Sequence, residues 1–146
     1  MAYCTLQELT DRYSQRMLVE ISDRADAPTG MVDTDLIDRA IADGDALIDG
    51  YLKVRYRLPL AIGPGGVPRL VKDLSLRISI YYAHAHVAAD KIRCDYEEAL
   101  ATLKHISQGL IRLDLDGVEP EASGASEVRT NNPERPFTAA TMKGYI

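Results

Sequence analysis

Apolar residues recur at helical spacing over most of the first two-thirds of the chain. The clearest stretch is DTDLIDRAIADGDALIDGYLKVRYRLP, in which Leu36/Ile37, Ala40/Ile41, Leu47/Ile48 and Tyr51/Leu52 form one stripe, with Gly44 at the missing step. That period predicts an amphipathic helix. Asp33, Asp35 and Asp38 at its start and Lys53, Arg55 and Arg57 at its end both match the helix macrodipole. Pro59 disfavours helical geometry at Leu58 and stops the element. A helix over 34–57 would be about 36 Å long, at ~1.5 Å per residue. Gly44 and Gly50 each weaken such a helix by about 1 kcal/mol relative to Ala, so each is expected to mark a close helix crossing.

The same pattern continues on both sides of this spine. TLQE places Thr5 and Glu8 as a capping box, followed by Leu6, Leu9 and Tyr13 on one face. RMLVEISDR adds a second short helical pattern with Met17, Leu18 and Ile21, broken by Pro28 and Gly30. LPLAIGPGGVP is a break, after which Pro68 suits the first turn of a helix. That helix carries Leu70/Val71, Leu74, Ile78, Tyr81/Tyr82 and Ala85. DYEEALATLKHIS presents Tyr96, Ala99/Leu100, Leu103 and Ile106, with Gly109 placed as its C-terminal cap. LIRLDLDG then alternates, as a short strand would. The expected fold is mainly α: a bundle of about four main helices with a long spine helix, a short strand and an extended C-terminal arm. Residues 1–118 form the helical domain, 119–133 a flexible polar linker and 134–146 the arm.

Composition narrows the class. A chain of 146 residues, 46% hydrophobic and 27% charged, is one globular domain's worth. With no Trp and one Phe, aliphatic side chains and eight Tyr must fill the core. The net charge of −5 argues against a general nucleic-acid binder. Its distribution is uneven: residues 1–49 hold four basic and eleven acidic groups (net −7), 50–112 ten and five (net +5), 113–146 three and six (net −3). Copies of such a molecule can stack acidic end to basic middle, although ordinary solvated helix faces produce the same division. Cys4 and Cys94 suit free thiols in a reducing compartment. MAYCTLQELTDR has charges where a signal peptide has its apolar region, and no run approaches a membrane span.

No catalytic constellation stands out. GPGGVP is Gly-rich before a helix, but it lacks the Lys-Ser/Thr of a phosphate loop and follows a helix instead of a strand. His84 and His86, two apart, would face opposite sides of one helix and cannot chelate one ion from it. Asp45 and Asp49, four apart, share a face as an acid pair would; with no matched nucleophile or ligand beside them they read as a solvated acidic face. Neither a metal nor another cofactor is expected. Lys53, Arg55 and Arg57 around Tyr56 resemble a basic-aromatic patch, and helix-dipole pairing explains them equally.

The C-terminal end raises a separate expectation. After the polar spacer EPEASGASEVRTNNP comes RPFTAATMKGYI, which carries the only Phe. A flexible spacer of about fifteen residues reaches roughly 20 Å, enough to meet a neighbouring subunit. Arg135, Pro136, Phe137, Met142, Tyr145 and Ile146 are the candidate partner-binding residues of this arm. Folding back onto its own helices is the competing fate.

Taken together, MAYCTLQELTDRY, DLIDRAIADGDALIDGYLKVRYRLPL, DYEEALATLKHISQGLIRL and the RPFTAATMKGY arm resemble the Mu-like prophage neck proteins. The resemblance covers nearly the whole chain, and IDGYLKVRYRLPL is its most specific piece. It implies a head–tail connector, or adaptor, of a tailed phage: a non-enzymatic virion protein of the neck, made in the bacterial cytoplasm. It further implies a homo-oligomeric ring, typically twelve-fold, contacting the portal protein and tail-side neck or tail proteins. In such a ring Lys53, Arg55 and Arg57 are candidate lumen-facing groups for sequence-blind contact with DNA phosphates. Competing readings, in order, are a head-completion or tail-terminator protein, a small metal-dependent hydrolase using Asp45, Asp49 and the histidines, and a DNA-binding regulator.

Overall fold

Thr5 opens the first helix as its sequence predicts. Its side chain accepts from the Glu8 amide at 3.3 Å, and the Glu8 carboxylate accepts from the Thr5 amide at 3.0 Å. Two of the helix's orphan donors are satisfied reciprocally. The computed structural model describes residues 2–24, 26–60, 66–86, 88–113 and 115. Five helices follow in order: α1 (Leu6–Tyr13), α2 (Gln15–Ser22), α3 (Thr34–Leu52), α4 (Arg69–Ala83) and α5 (Asp90–Gln108). The protein is mainly α, with α3, α4 and α5 as the long packed elements and α1 and α2 as short ones across one end.

The entry to α3 is fixed by side-chain bonds. Asp23 Oδ2 accepts from the amides of Thr29 (2.7 Å) and Gly30 (2.8 Å), which shapes the loop after α2. Ser22 Oγ accepts from the Asp33 amide at 3.0 Å, and Asp33 in turn caps α3 by accepting from the Leu36 amide at 3.1 Å.

Helix α3 packs most extensively on α4, the two running antiparallel. Two apolar clusters lie along this pair. One joins Ile48 and Leu52 of α3 to Val71, Leu74 and Ile78 of α4 and Ala99, Leu103 and Ile106 of α5. The other joins Ile37, Ala40 and Ile41 of α3 to Leu76 and Ile80 of α4, Leu9 of α1, Leu18 of α2 and Ile92 of α5. Tyr81 of α4 stacks on Tyr96 of α5, ring centroids 4.0 Å apart and 6° from parallel.

Only one of the two spine glycines marks a crossing. A Cβ on Gly44 would stand 3.2 Å from both Ile78 Cγ2 and Ser79 Oγ, so this is where α4 lies closest on α3. A Cβ on Gly50 would have nothing within 4 Å, and the expected crossing there is absent. Gly50 sits on the exposed side of the helix, and what it brings is only its conformational cost. Gly50→Ala is therefore expected to stabilise the protein by about 0.5–1 kcal/mol, read as a higher urea midpoint at unchanged slope.

Three sequence expectations need correction. First, α3 stops at Leu52 and not at Arg57, so it has 19 residues, about 28 Å. The chain leaves the helix because Tyr56 and Leu60 turn into the core, and the Tyr56 hydroxyl accepts from the Leu113 amide at 3.0 Å. Second, residues 110–113 form a bend and extended chain; no strand occurs among the described residues. The alternation there is real, since Leu113 and Leu115 are buried, but it lays the segment on helices and not in a sheet. Third, α4 ends at Ala83, leaving Ala85 exposed outside it. The linker 119–133, the arm 134–146 and residues 63–65 of the Gly-rich connector lie outside the described residues.

Candidate functional site

The basic turn after α3 begins at Lys53, which caps the helix, and continues through exposed Val54, half-buried Arg55, buried Tyr56 and exposed Arg57. Val54 is 69% exposed, a large apolar side chain presented to solvent beside a lysine. Arg55 is held differently from its neighbours. Its guanidinium lies against Gly109, in the space a Cβ there would fill. Gly109 closes α5 in the left-handed conformation, φ +79°, which glycine adopts without strain. Leu110, the next residue, is 72% exposed. Of the three basic residues that sequence pointed to, Lys53 and Arg57 are thus displayed, and Arg55 is largely used to pack the turn onto α5. Lys53, at the C-cap of α3, keeps the dipole pairing that sequence predicted, while Arg55 and Arg57 lie beyond the helix.

A second feature sits where the N-terminal segment crosses α3. The Tyr3 amide donates to Asp45 Oδ2 at 3.0 Å, and Ser75 Oγ of α4 donates to Asp45 Oδ1 at 2.7 Å. The Tyr3 hydroxyl donates to Asp49, and Ser75 also lies 3.2 Å from the Cys4 sulfur. Asp45 is only 5% exposed. Burial pushes its carboxyl pKa up, against the pull of the hydrogen bonds from Ser75 and Tyr3. Burial likewise raises the Cys4 thiol, so this sulfur is a packed neutral group and not a nucleophile. Burial, then the bond to Asp49 and its charge, raise the Tyr3 hydroxyl. Asp45 and Asp49 are therefore not the solvated acidic face that sequence suggested. They pin the N-terminus to the α3–α4 crossing.

Outside this network the same side of α3 is open. Cys4, Asp38, Ala42, Asp45, Ala46 and Asp49 border a groove of about 520 Å³, with Asp38, Ala42 and Ala46 exposed. It lies between the N-terminal segment, with Thr5 and Leu6, and α3, whose Ile41 also lines it. Across the molecule, a hollow of about 660 Å³ includes Met17, Ile21, Arg24, His84 and His86. There the Arg24 guanidinium donates to the Ala83 carbonyl at 2.6 Å, and His84 Nδ1 donates to the Ile80 carbonyl at 2.7 Å. Both satisfy carbonyls at the end of α4. Among the described residues no group of three His, Cys, Asp or Glu side chains is placed to hold a metal ion. Cys4 is buried and Cys94 exposed, each a free thiol. No helix among the described residues is long and apolar enough to cross a membrane.

The arm residues Arg135, Pro136, Phe137, Met142, Tyr145 and Ile146 lie outside the described residues, so their placement is not part of this geometry. What the structure adds is the groove and the anchor beneath it, and comparison with known proteins adds the lineage. The family described as Bacteriophage Mu, Gp36 matches residues 3–131. The chain belongs to that family. Two relatives match along nearly their whole length. "Gene product J" of Escherichia phage Mu is 27% identical over 149 aligned residues, covering 100% of both chains. "Mu-like prophage FluMu protein gp36" of Haemophilus influenzae is 26% identical, covering 99% of this chain and 98% of its own. The Gp36 match spans the anchor, the groove and the basic turn alike.

Proposed function

We propose that this Gp36-family chain is a non-enzymatic structural protein of the phage virion, a head–tail connector whose copies form a ring between portal and tail. The observation that carries the reading is the family match over residues 3–131, which puts nearly the whole chain in a phage Mu family; the neck role is what the sequence resemblance implies. The side-chain chemistry supports it. The acid pair that a hydrolase would need is engaged by Tyr3 and Ser75, and His84 is committed to a helix carbonyl. The arm at 134–146 then serves contacts with the portal or an adjacent subunit, and the helical body serves the ring. Lys53 and Arg57 have two uses in such a ring: phosphates of DNA in its lumen, or an acidic surface of the neighbouring copy.

A head-completion or tail-terminator role is the second reading, separated from the first by location. Purified particles labelled with a gold-coupled antibody to this chain test both. Label confined to the head–tail junction is the expected result. Label elsewhere on the tail would move the protein to the second role. Absence of label from intact and disrupted particles, with the antibody active on free protein, would remove it from the virion.

A further inference from the structure

The cations of this protein are not all treated alike. Arg12, Lys72, Arg77 and Lys91 lie in ion pairs with Asp73, Glu8, Glu98 and Asp95. Lys53 and Arg112 have no carboxylate partner among the described residues. These two belong to segments that meet at one end of the bundle, the turn 53–58 and the chain 109–113. The Arg55 guanidinium lies against Gly109, and the Tyr56 hydroxyl accepts from the Leu113 amide at 3.0 Å. Together the two segments carry Lys53, Arg55, Arg57 and Arg112 and not one acid. Val54 and Leu110 are exposed among them, and a hollow of about 530 Å³ lies over residues 53–58. Asp49, the last acid before the turn, already accepts from the Tyr3 hydroxyl. The missing negative charge follows directly in the chain. Leu115 is buried in the same cluster as Tyr56, Leu60 and Leu113. Residues 116–127 then hold Asp116, Glu119, Glu121 and Glu127 and no base.

We propose that the basic turn is an acid-binding surface, occupied in the free subunit by the acidic segment that follows Leu115 in the same chain. Asp116, Glu119 and Glu121 lie over Lys53, Arg57 and Arg112, and Val118 meets Val54. Opposite charge alone would admit any polyanion. What singles out this occupant is its tether. It starts from a residue fixed beside Tyr56, and six residues reach about 20 Å when extended, enough to cross the turn. A tether that short gives an effective concentration in the millimolar range, so weak, exposed ion pairs suffice to hold it. The segment then competes with DNA phosphates for the same cations and keeps the free subunit off nucleic acid. The first part of the polar spacer thus has a task beyond spacing. None of this depends on the connector role.

Two measurements on the full chain test it. In a Cys94→Ser background, Val54→Cys with Val118→Cys should close a disulfide within one chain under mild oxidation. Expected is a fast-migrating monomer, formed several-fold more slowly when salt rises from about 50 to about 500 mM, which screens exposed charges. Glu20→Cys with Val118→Cys is the control and should not close. Ser22 bonds the Asp33 amide, so Glu20 stands near the start of α3, beyond the reach of three residues from Leu115. The second measurement is binding of a short DNA duplex at low salt. Asp116→Asn, Glu119→Gln and Glu121→Gln together should tighten it roughly tenfold. Removing the same charge from exposed Glu20, Asp35 and Asp43 should tighten it by no more than about twofold. Lys53→Gln with Arg57→Gln should erase the larger gain. Linkage between chains in place of within one, closure that ignores salt, or triple variants that treat DNA alike would each overturn the proposal.

Discussion

Gly44→Leu is expected to lower the stability of the protein by about 3 kcal/mol, the largest single effect foreseen for this fold. The reason is the closeness of α3 and α4 at that point. A bare Cβ at position 44 would already stand 3.2 Å from Ile78 Cγ2 and Ser79 Oγ, and 3.6 Å from the Ser79 backbone nitrogen. Alanine is near the limit of what the crossing accepts. The Ser79 hydroxyl can rotate and Ile78 can shift by tenths of an ångström, while the helix gains about 1 kcal/mol in propensity. Gly44→Ala should therefore be close to neutral. Leucine adds three more carbons, and the backbone of α4 cannot move aside without separating the two apolar clusters that flank the crossing. Urea unfolding of wild type and the two variants reads the result. Adding Ile78→Ala should cost less in the Gly44→Leu background than in wild type, because the space it opens is used. An unchanged midpoint for Gly44→Leu would mean that the two helices do not touch there.

The two spine glycines also show how far sequence could be read. Gly44 and Gly50 carry the same local signal, a weak residue inside a strong helical pattern. What separates them is the face of α3 that α4 covers, and that is decided by packing. Asp45 had a usable clue. It stands on the stripe of Ile41, Ile48 and Leu52, so its burial follows from the same period that predicted the helix. Its partners had none, because Tyr3 reaches it from 42 positions away and Ser75 from 30. The early end of α3 is a similar case. Tyr56 lies four residues after Leu52 and continues the helical spacing, yet it is held by Leu113, 57 residues distant. Local signals that need only neighbours, such as the Thr5–Glu8 box and the Gly109 terminus, appear where the sequence placed them or beside them. The groove was invisible for the opposite reason. A surface is defined by what fails to cover it, and Ala42 and Ala46 look like ordinary helix formers until the N-terminal segment is seen beside them and α4 on another face of α3.

Asp45→Ala is expected to cost about 2 kcal/mol at neutral pH, and Asp45→Asn less than about 1. Alanine leaves the Tyr3 amide without an acceptor in a buried setting and frees the N-terminal segment from α3. Asparagine keeps the shape. Its carbonyl accepts from Tyr3, its amide donates to Ser75, and the Ser75 hydroxyl turns to Cys4. Amide hydrogen exchange at Tyr3 should accelerate strongly in the Ala variant and little in the Asn variant. The pH dependence separates the carboxylate from its shape. Burial raises the folded-state pKa of Asp45 above the ordinary carboxylate value, so folding favours the protonated form. Its contribution is then full below the unfolded pKa of about 3.9 and is lost as pH rises through the higher folded value. The stability of wild type relative to Asp45→Asn should accordingly decline from acid pH through that interval and stay flat above it. A difference that grows with rising pH would mean that the bonds from Tyr3 and Ser75 outweigh burial, and that the anchor depends on the charge as well as on the hydrogen bonds.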